Sequence, residues 1–212
     1  MKRVLIIGSG PIEDLELLTQ QAFEHDFVVC ADGGIRHTYD QDIHVDLVIG
    51  DLDSVDATFQ AYVDKHHIPI EKHPVEKDAT DTELAIDYCL QHGYTTLTLM
   101  GMSGGRMDHT LANIFLLRKI HQSGAKGHIL DYKNVIHYVE DILEITPKKG
   151  YQVSIIPISL EGVEVSLNGF YYKLDHDSIH FGSSLGISNH IIEAMGIVHV
   201  HKGVALVIES KD

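Results

Sequence analysis

Two aspartates separated by one leucine, Asp51 and Asp53, stand at the end of the run VIGDLDS at 48–54. Apolar residues that run into a glycine and then into carboxylates are how a buried parallel strand empties into a ligand loop. If the backbone stays extended through Gly50, both carboxylates point one way and Leu52 the other. Two such charges repel unless a cation lies between them. Hard oxygen ligands with no cysteine or obvious histidine pair beside them suit magnesium better than zinc, and magnesium commonly accompanies phosphate. A solvated acidic turn uses the same residue types.

Three further stretches carry the same kind of chemistry. CADGG at 30–34 ends an apolar run, so Asp32 meets the same sheet edge as Asp51 and Asp53 if the strands are parallel, and Gly33 and Gly34 let the backbone approach a ligand. In EKDATDTELAIDYCLQHG at 76–93, Thr80 and Glu83 read as a capping box, which places Asp78 and Asp81 at a helix start. Lys77, just before that start, is placed to reach a phosphate. In GMSGGRMDHTLANIFLL at 101–117, Gly101, Gly104 and Gly105 make a loop and Arg106 offers a fork of donors for phosphate oxygens. Asp108 or its predecessor caps a helix with Leu111, Ile114, Phe115 and Leu117 on its apolar face. The Gly-Lys-Ser/Thr ending of a Walker loop is absent, and Gly8-Ser9-Gly10-Pro11 has Glu13 where a dinucleotide fingerprint wants its last glycine. Farther on, Phe170, Tyr171 and Tyr172 with the small polar loop 182–189 offer a slot for a flat heterocycle, or simply a hairpin with core aromatics.

These residues need elements to hold them. Apolar runs at 4–8, 27–31, 46–50, 68–70, 95–101 and 128–131 alternate with helix-length segments at 12–25, 56–67, 80–92 and 108–122. That alternation predicts an α/β domain with a mainly parallel sheet flanked by helices, over 1–133. From 134 to 212 the texture is strands at 135–139, 151–157, 163–167, 178–181, 197–200 and 204–208 between glycine turns, an all-β, sandwich-like domain.

Composition narrows the partners. With 31 acidic and 16 basic residues the formal net charge is −15, which argues against nucleic acid. Cys30 and Cys89 lie in apolar runs and read as buried free thiols of a reducing compartment. The N-terminal MKRVLIIGSG reads as a strand rather than a signal peptide, no segment reaches membrane length, and a cytoplasmic location is expected. The 16 histidines are scattered, and pairs such as His66 with His67 and His199 with His201 lack a third partner at ligand spacing.

Taken in order, ADGG at 31–34, GDLDS at 50–54, KDATD at 77–81, GGRMDH at 104–109 and GSSLGISN at 182–189 resemble the thiamine pyrophosphokinase family, bacterial type, across nearly the whole chain. The resemblance implies transfer of the pyrophosphoryl group of ATP to the hydroxyl of thiamine, with magnesium, in a homodimer whose active sites lie at the subunit interface. It implies Asp51, Asp53, Asp78 and Asp81 around the metal and Lys77 beside them. It also implies Asp32, Thr80, Gly104, Gly105, Arg106, Asp108 and His109 on the nucleotide side, and Tyr172, Ser188 and Asn189 on the thiamine side. Some members carry tryptophan at the thiamine site; this chain has none, so Tyr171 stands as the other candidate for stacking. The alternatives are a metal-dependent phosphohydrolase and a non-catalytic thiamine or nucleotide sensor.

Overall fold

A computed structural model describes residues 2–51, 57–74, 76 and 78–212. The chain divides into two compact units, Met1–Tyr132 and Lys133–Asp212.

The first unit carries β1 (Arg3–Ile7), β2 (Phe27–Ala31), β3 (Leu47–Gly50), β4 (Ile70–Lys72), β5 (Thr96–Met100) and β6 (Lys126–Leu130). They pair in the order β4-β3-β2-β1-β5-β6, all parallel. The helices are α1 (Leu15–Glu24), α2 (Ala57–His66), α3 (Asp81–Gln91) and α4 (Met107–Gln122). The middle strands are buried along their length, Val4 to Ile7 at 0 % exposure, because helices cover both faces. Leu5, Ile7, Val28, Cys30 and Val48 join Leu18 of α1 and Phe59 and Val63 of α2 in one core, while α3 packs against β1, β2 and β3. Successive crossovers carry the chain outward from β1 to β4; it then returns to β5 on the other side of β1. That reversal opens a crevice at the carboxyl ends of β1 and β5, where open α/β sheets bind ligands.

Two local readings need correction. Residues 32–38 form a 3₁₀ helix directly after β2. Gly34 serves that packing: a Cβ there would stand 2.1 Å from the Ile7 carbonyl oxygen, so only glycine lets the turn lie against β1. Thr80 does cap α3, accepting from the Glu83 amide at 3.2 Å, but the Glu83 carboxylate does not reach back. It binds Lys119 of α4 at 2.8 Å, and Asp87 takes the same ammonium at 2.7 Å, so the box is exchanged for a tie between α3 and α4.

The second unit is a sandwich. Strands β7 (Asn134–Val139), β13 (Ala205–Ser210) and β9 (Gln152–Pro157) pair antiparallel, and β11 (Leu174–Ile179), β10 (Val163–Asn168), β12 (Gly196–Lys202) and β8 (Ile142–Ile145) make a four-stranded antiparallel sheet in that order. Val153, Ile155 and Val207 from the first group meet Val165, Leu167, Val198 and Val200 from the second in one core around fully buried Phe170. β8 escaped the sequence reading because ILEI follows β7 after only two residues, and β11 begins four residues earlier than expected because LDHDSI is mostly polar. An edge strand with an exposed outer face needs little apolar patterning.

Candidate active site

Three carboxylates converge at the carboxyl edge of the parallel sheet. Asp32 is the first residue past β2, Asp51 the first past β3, and Asp81 opens α3, whose amino end lies at that edge because the helix runs antiparallel to the strands it connects. One carboxylate oxygen from each lies within 4.8 Å of the other two, and all three residues are half-buried. Oxygen-only donors at this separation fit a hard divalent cation such as magnesium, and without a cation they repel. The fit is the more specific because the backbone is bent to make it: Asp32 takes φ +46°, a left-handed conformation that a non-glycine residue holds only at a cost.

The placements of the other candidates are uneven. Asp53 and Lys77 lie outside the described residues. Asp78 is exposed and is not one of the three clustered carboxylates, since the helix starts at Asp81 and Asp78 belongs to the irregular segment before it. Asp32, expected at the same sheet edge as Asp51 and among the acidic groups around metal and phosphates, lies with Asp51 and Asp81 in the cluster. The Thr80 hydroxyl is engaged as the α3 cap.

At the same carboxyl edge of the sheet, with β1 between, lies the loop from β5 to α4. Its backbone is zipped to the loop after β1: the Gly8 amide donates to the Met100 carbonyl at 2.8 Å and the Gly10 amide to the Gly101 carbonyl at 2.9 Å. A Cβ at Gly10 would come within 2.2 Å of the Ser103 carbonyl oxygen, so the glycines that fail as a dinucleotide fingerprint are used to bring two loops together. Three side chains that the sequence reading passed over fix this arrangement. Asn113 donates to the Met102 carbonyl at 2.9 Å, Thr110 Oγ1 accepts from the Gly104 amide at 3.2 Å, and His37 Nε2 bonds the Gly10 carbonyl at 2.8 Å. Burial holds the His37 pKa below its ordinary value. Their signal was spacing: Thr110 and Asn113 follow Arg106 by one and two helical turns.

Arg106 is the N-cap of α4 but caps nothing with its side chain. Its guanidinium grips Asp108 bidentately, Nη2 to Oδ2 at 2.5 Å and Nε to Oδ1 at 3.2 Å, so Asp108 is a partner of the arginine rather than a cap. The hydrogen bond from Arg106 pulls the exposed Asp108 carboxyl down to about 2, so the pair is ionised at neutral pH. His109 is exposed in the first turn of the same helix. Leu111 and Phe115, read as core-facing, are about half exposed, whereas Leu117 and Ile120 are buried.

In the second unit Tyr171 and Tyr172 are each 60 % exposed, with rings edge-to-face at 5.0 Å, while Phe170 beside them is core. Asn189 is 5 % exposed, and its amide is spent on the backbone. Oδ1 accepts from the amides of Tyr172 at 3.0 Å and His190 at 2.9 Å, and Nδ2 donates to the Tyr172 carbonyl at 2.8 Å. Ser188 takes φ +60°, and its amide donates to Ser154 Oγ at 3.1 Å. Asn189 thus holds the aromatic pair in place.

Comparison with known proteins agrees with both units. Residues 18–129 match the family model "Thiamin pyrophosphokinase, catalytic domain", and residues 139–205 match "Thiamin pyrophosphokinase, vitamin B1 binding domain". A curated relative, thiamine pyrophosphokinase of Bacillus subtilis (strain 168), is 33 % identical over 215 residues, covering 100 % of both chains. The crystal structure of thiamine pyrophosphokinase from Bacillus subtilis superposes with a TM-score of 0.89 at 31 % identity, covering 100 % of each chain. That of thiamin pyrophosphokinase from Geobacillus thermodenitrificans gives 0.84 at 28 % identity, covering 99 % of this chain and 98 % of the other.

Proposed function

The chain belongs to the thiamine pyrophosphokinase family and is an enzyme of that kind, and on that premise we propose how its residues divide the reaction between them. The pyrophosphoryl group of ATP passes to the hydroxyl of thiamine, giving thiamine diphosphate and AMP. The convergence of Asp32, Asp51 and Asp81, at the same edge of the sheet as the Gly101–Arg106 loop, carries the assignment. These three carboxylates would hold Mg2+, with Asp53 as a further ligand by family resemblance. When bound, the ion neutralises charge on the phosphate oxygens.

The chain's own groups do the positioning. Gly104 and Gly105 leave room for the polyphosphate, and Arg106, ionised and largely exposed, exchanges Asp108 for phosphate oxygens. Lys77 adds a second cation. Asp78, exposed and outside the carboxylate cluster, accepts the alcohol proton of thiamine. Tyr172, with Tyr171 at its edge, offers the flat surface for thiamine, Ser188 lies in the adjoining loop, and Asn189 holds that surface in register. The net charge of −15 favours a cationic acceptor.

We further propose a two-fold homodimer with active sites at the interface. Tyr171, Tyr172, Leu185 and Ile187 are exposed side chains with large apolar area that a partner would cover. Among the described residues no helix is long and apolar enough to cross a membrane, and Cys30 and Cys89 are buried free thiols, which supports the cytoplasm as the location.

The test is product identification with labelled ATP, magnesium and thiamine. AMP with thiamine diphosphate is the expected outcome; phosphate released without thiamine would mean a hydrolase, and binding without turnover a sensor. Sharing of sites is tested by mixing Asp51→Asn and Ser188→Trp chains. Random heterodimers should recover about a quarter of wild-type activity if sites are composite. No recovery from confirmed heterodimers would place each site within one chain.

A further inference from the structure

On the outer face of the four-stranded sheet, the fold brings to His199 and His201 the third ring that their spacing lacks. His176 of β11 stacks on His201 of β12 with centroids 3.8 Å apart and planes 17° apart, and His199 lies 3.9 Å from His201 on its other side. The rings of His176 and His201 are nearly parallel while His199 is tilted by 47°, and among the described residues these three do not bring their ligand atoms together as Asp32, Asp51 and Asp81 do. Charges surround the rings unevenly. Glu164 of β10 binds His176 Nδ1 at 3.0 Å and Lys202 Nζ at 2.5 Å, Asp141 lies 3.7 Å from His199, and Asp175 and Asp177 flank His176 on β11. Each outer ring therefore has a carboxylate beside it. His201, between them, is hydrogen-bonded to the Ser166 hydroxyl at 2.8 Å, and Glu164 and Asp175 act on it only through space.

Ser166 links that ring to the backbone. It is 7 % exposed, and its Oγ accepts from the His176 amide at 3.0 Å, holding His176 at φ +55° beside the register shift between β10 and β11. The hydroxyl has one proton to give, and with neutral His201 in its Nδ1–H tautomer Nε2 receives it. If Nε2 takes a proton of its own, it becomes a donor to the same oxygen, and the Ser166 proton loses its acceptor in a buried place.

We propose that His176, His199, His201 and Ser166 form a proton-sensitive latch on edge strand β11, closed while His201 is neutral and loosened when His201 is protonated. β11 runs from just after Tyr172 to just before the 182–189 loop, so both segments assigned to thiamine hang from it. The effect on catalysis rests on that assignment; the opening of β11 does not. Burial, and then the positive charges of His176 and His199, hold the His201 pKa below its ordinary value. The unfolded or opened strand thus binds the proton more readily than the closed one. The closed form is fully stable above about pH 6.5 and loses stability as pH falls from there.

Hydrogen exchange over β11, corrected for the intrinsic pH dependence of exchange, is measured from pH 5 to 8 in wild type and His201→Gln, with Michaelis constants for both substrates in parallel. In wild type the open population should rise by up to about tenfold per pH unit below pH 6.5. The thiamine constant should follow, and the ATP constant should not. In His201→Gln all of these should be flat. His176→Asn, whose side chain tolerates the left-handed backbone, should leave the onset in place and reduce the total rise, since His201 loses one opposing neighbour and its closed-state pKa moves toward that of the opened strand. A wild-type β11 insensitive to pH, or one that opens identically in His201→Gln, overturns the latch. β11 opening without any rise in the thiamine constant overturns its control of the substrate site. Absence of thiamine diphosphate at every pH would sink the family-based site assignment while the exchange data still decide the latch.

Discussion

The two units present their polar groups in opposite ways. In the α/β unit the clustered carboxylates stand where strands and a helix begin or end, and the regular hydrogen bonding of the sheet does not depend on them. In the β unit the buried polar side chains are structural: Asn189 satisfies three backbone groups and Ser166 two partners. A parallel sheet hides its backbone in its own ladders and leaves its carboxyl edge for chemistry, whereas a small antiparallel sandwich has irregular crossings whose backbone must be satisfied by side chains. Substitutions should therefore separate activity from stability in the first unit and couple them in the second.

Asp51→Asn is the strongest test. It should lower turnover by 10²-fold or more, the loss typical of an essential charge-stabilising group. The melting temperature in metal-free buffer should hold or rise, because one of three repelling charges is gone. Retained activity above about a tenth of wild type would break the comparison at its catalytic end.

Arg106→Ala comes next, and should raise the ATP Michaelis constant on the order of tenfold, the worth of a charged hydrogen bond, while leaving that for thiamine nearly unchanged. Because the Asp108 carboxyl titrates at about 2, this effect should not vary between pH 5 and 8. A defect confined to thiamine would mean that the arginine serves the other substrate.

Asn189→Ala should do what Asp51→Asn does not, lowering stability by about 1–3 kcal/mol by stranding the Tyr172 and His190 backbone groups. The thiamine constant should rise with it. Calorimetry and kinetics on the same preparation decide whether the two losses travel together, and an intact melting transition with weakened thiamine binding would make Asn189 a direct ligand.

The smallest effect concerns Glu209, 5 % exposed near the carboxyl end of β13. Burial alone would raise its pKa, but hydrogen bonds from His137 and Lys148 outweigh burial and hold it below the ordinary carboxylate value. A depressed carboxylate contributes stability that is complete above the unfolded pKa of about 4.3 and declines as pH falls below it. Glu209→Gln should cost about 1.5 kcal/mol near neutrality, as for a lost charged hydrogen bond, and should flatten the decline of melting temperature between pH 5 and 3. An equally steep decline in the variant would assign acid sensitivity elsewhere.

Much of this molecule is readable from residues in line. Apolar runs such as VLII and FVVC specify strands covered on both faces, Thr80 and Gly93 mark the limits of α3, and the change from alternating helices and strands to glycine-spaced strands locates the passage between the units. These features act through the local backbone and a few neighbours, so their period survives in the sequence. The acidic residues at 32, 51 and 81 were also legible as candidates, each at the end of an element.

What tertiary structure alone decided is which of them meet. Asp78 and Asp81 look equivalent in KDATD, and only the helix start at Asp81 brings one into reach of Asp32 and Asp51. Tyr171 and Tyr172 emerge beside core Phe170, and His176 reaches His201 across β10, by strand pairings that no local spacing encodes. Contacts of that kind depend on register between segments far apart in the chain, and a shift of one residue would turn each side chain to the opposite face.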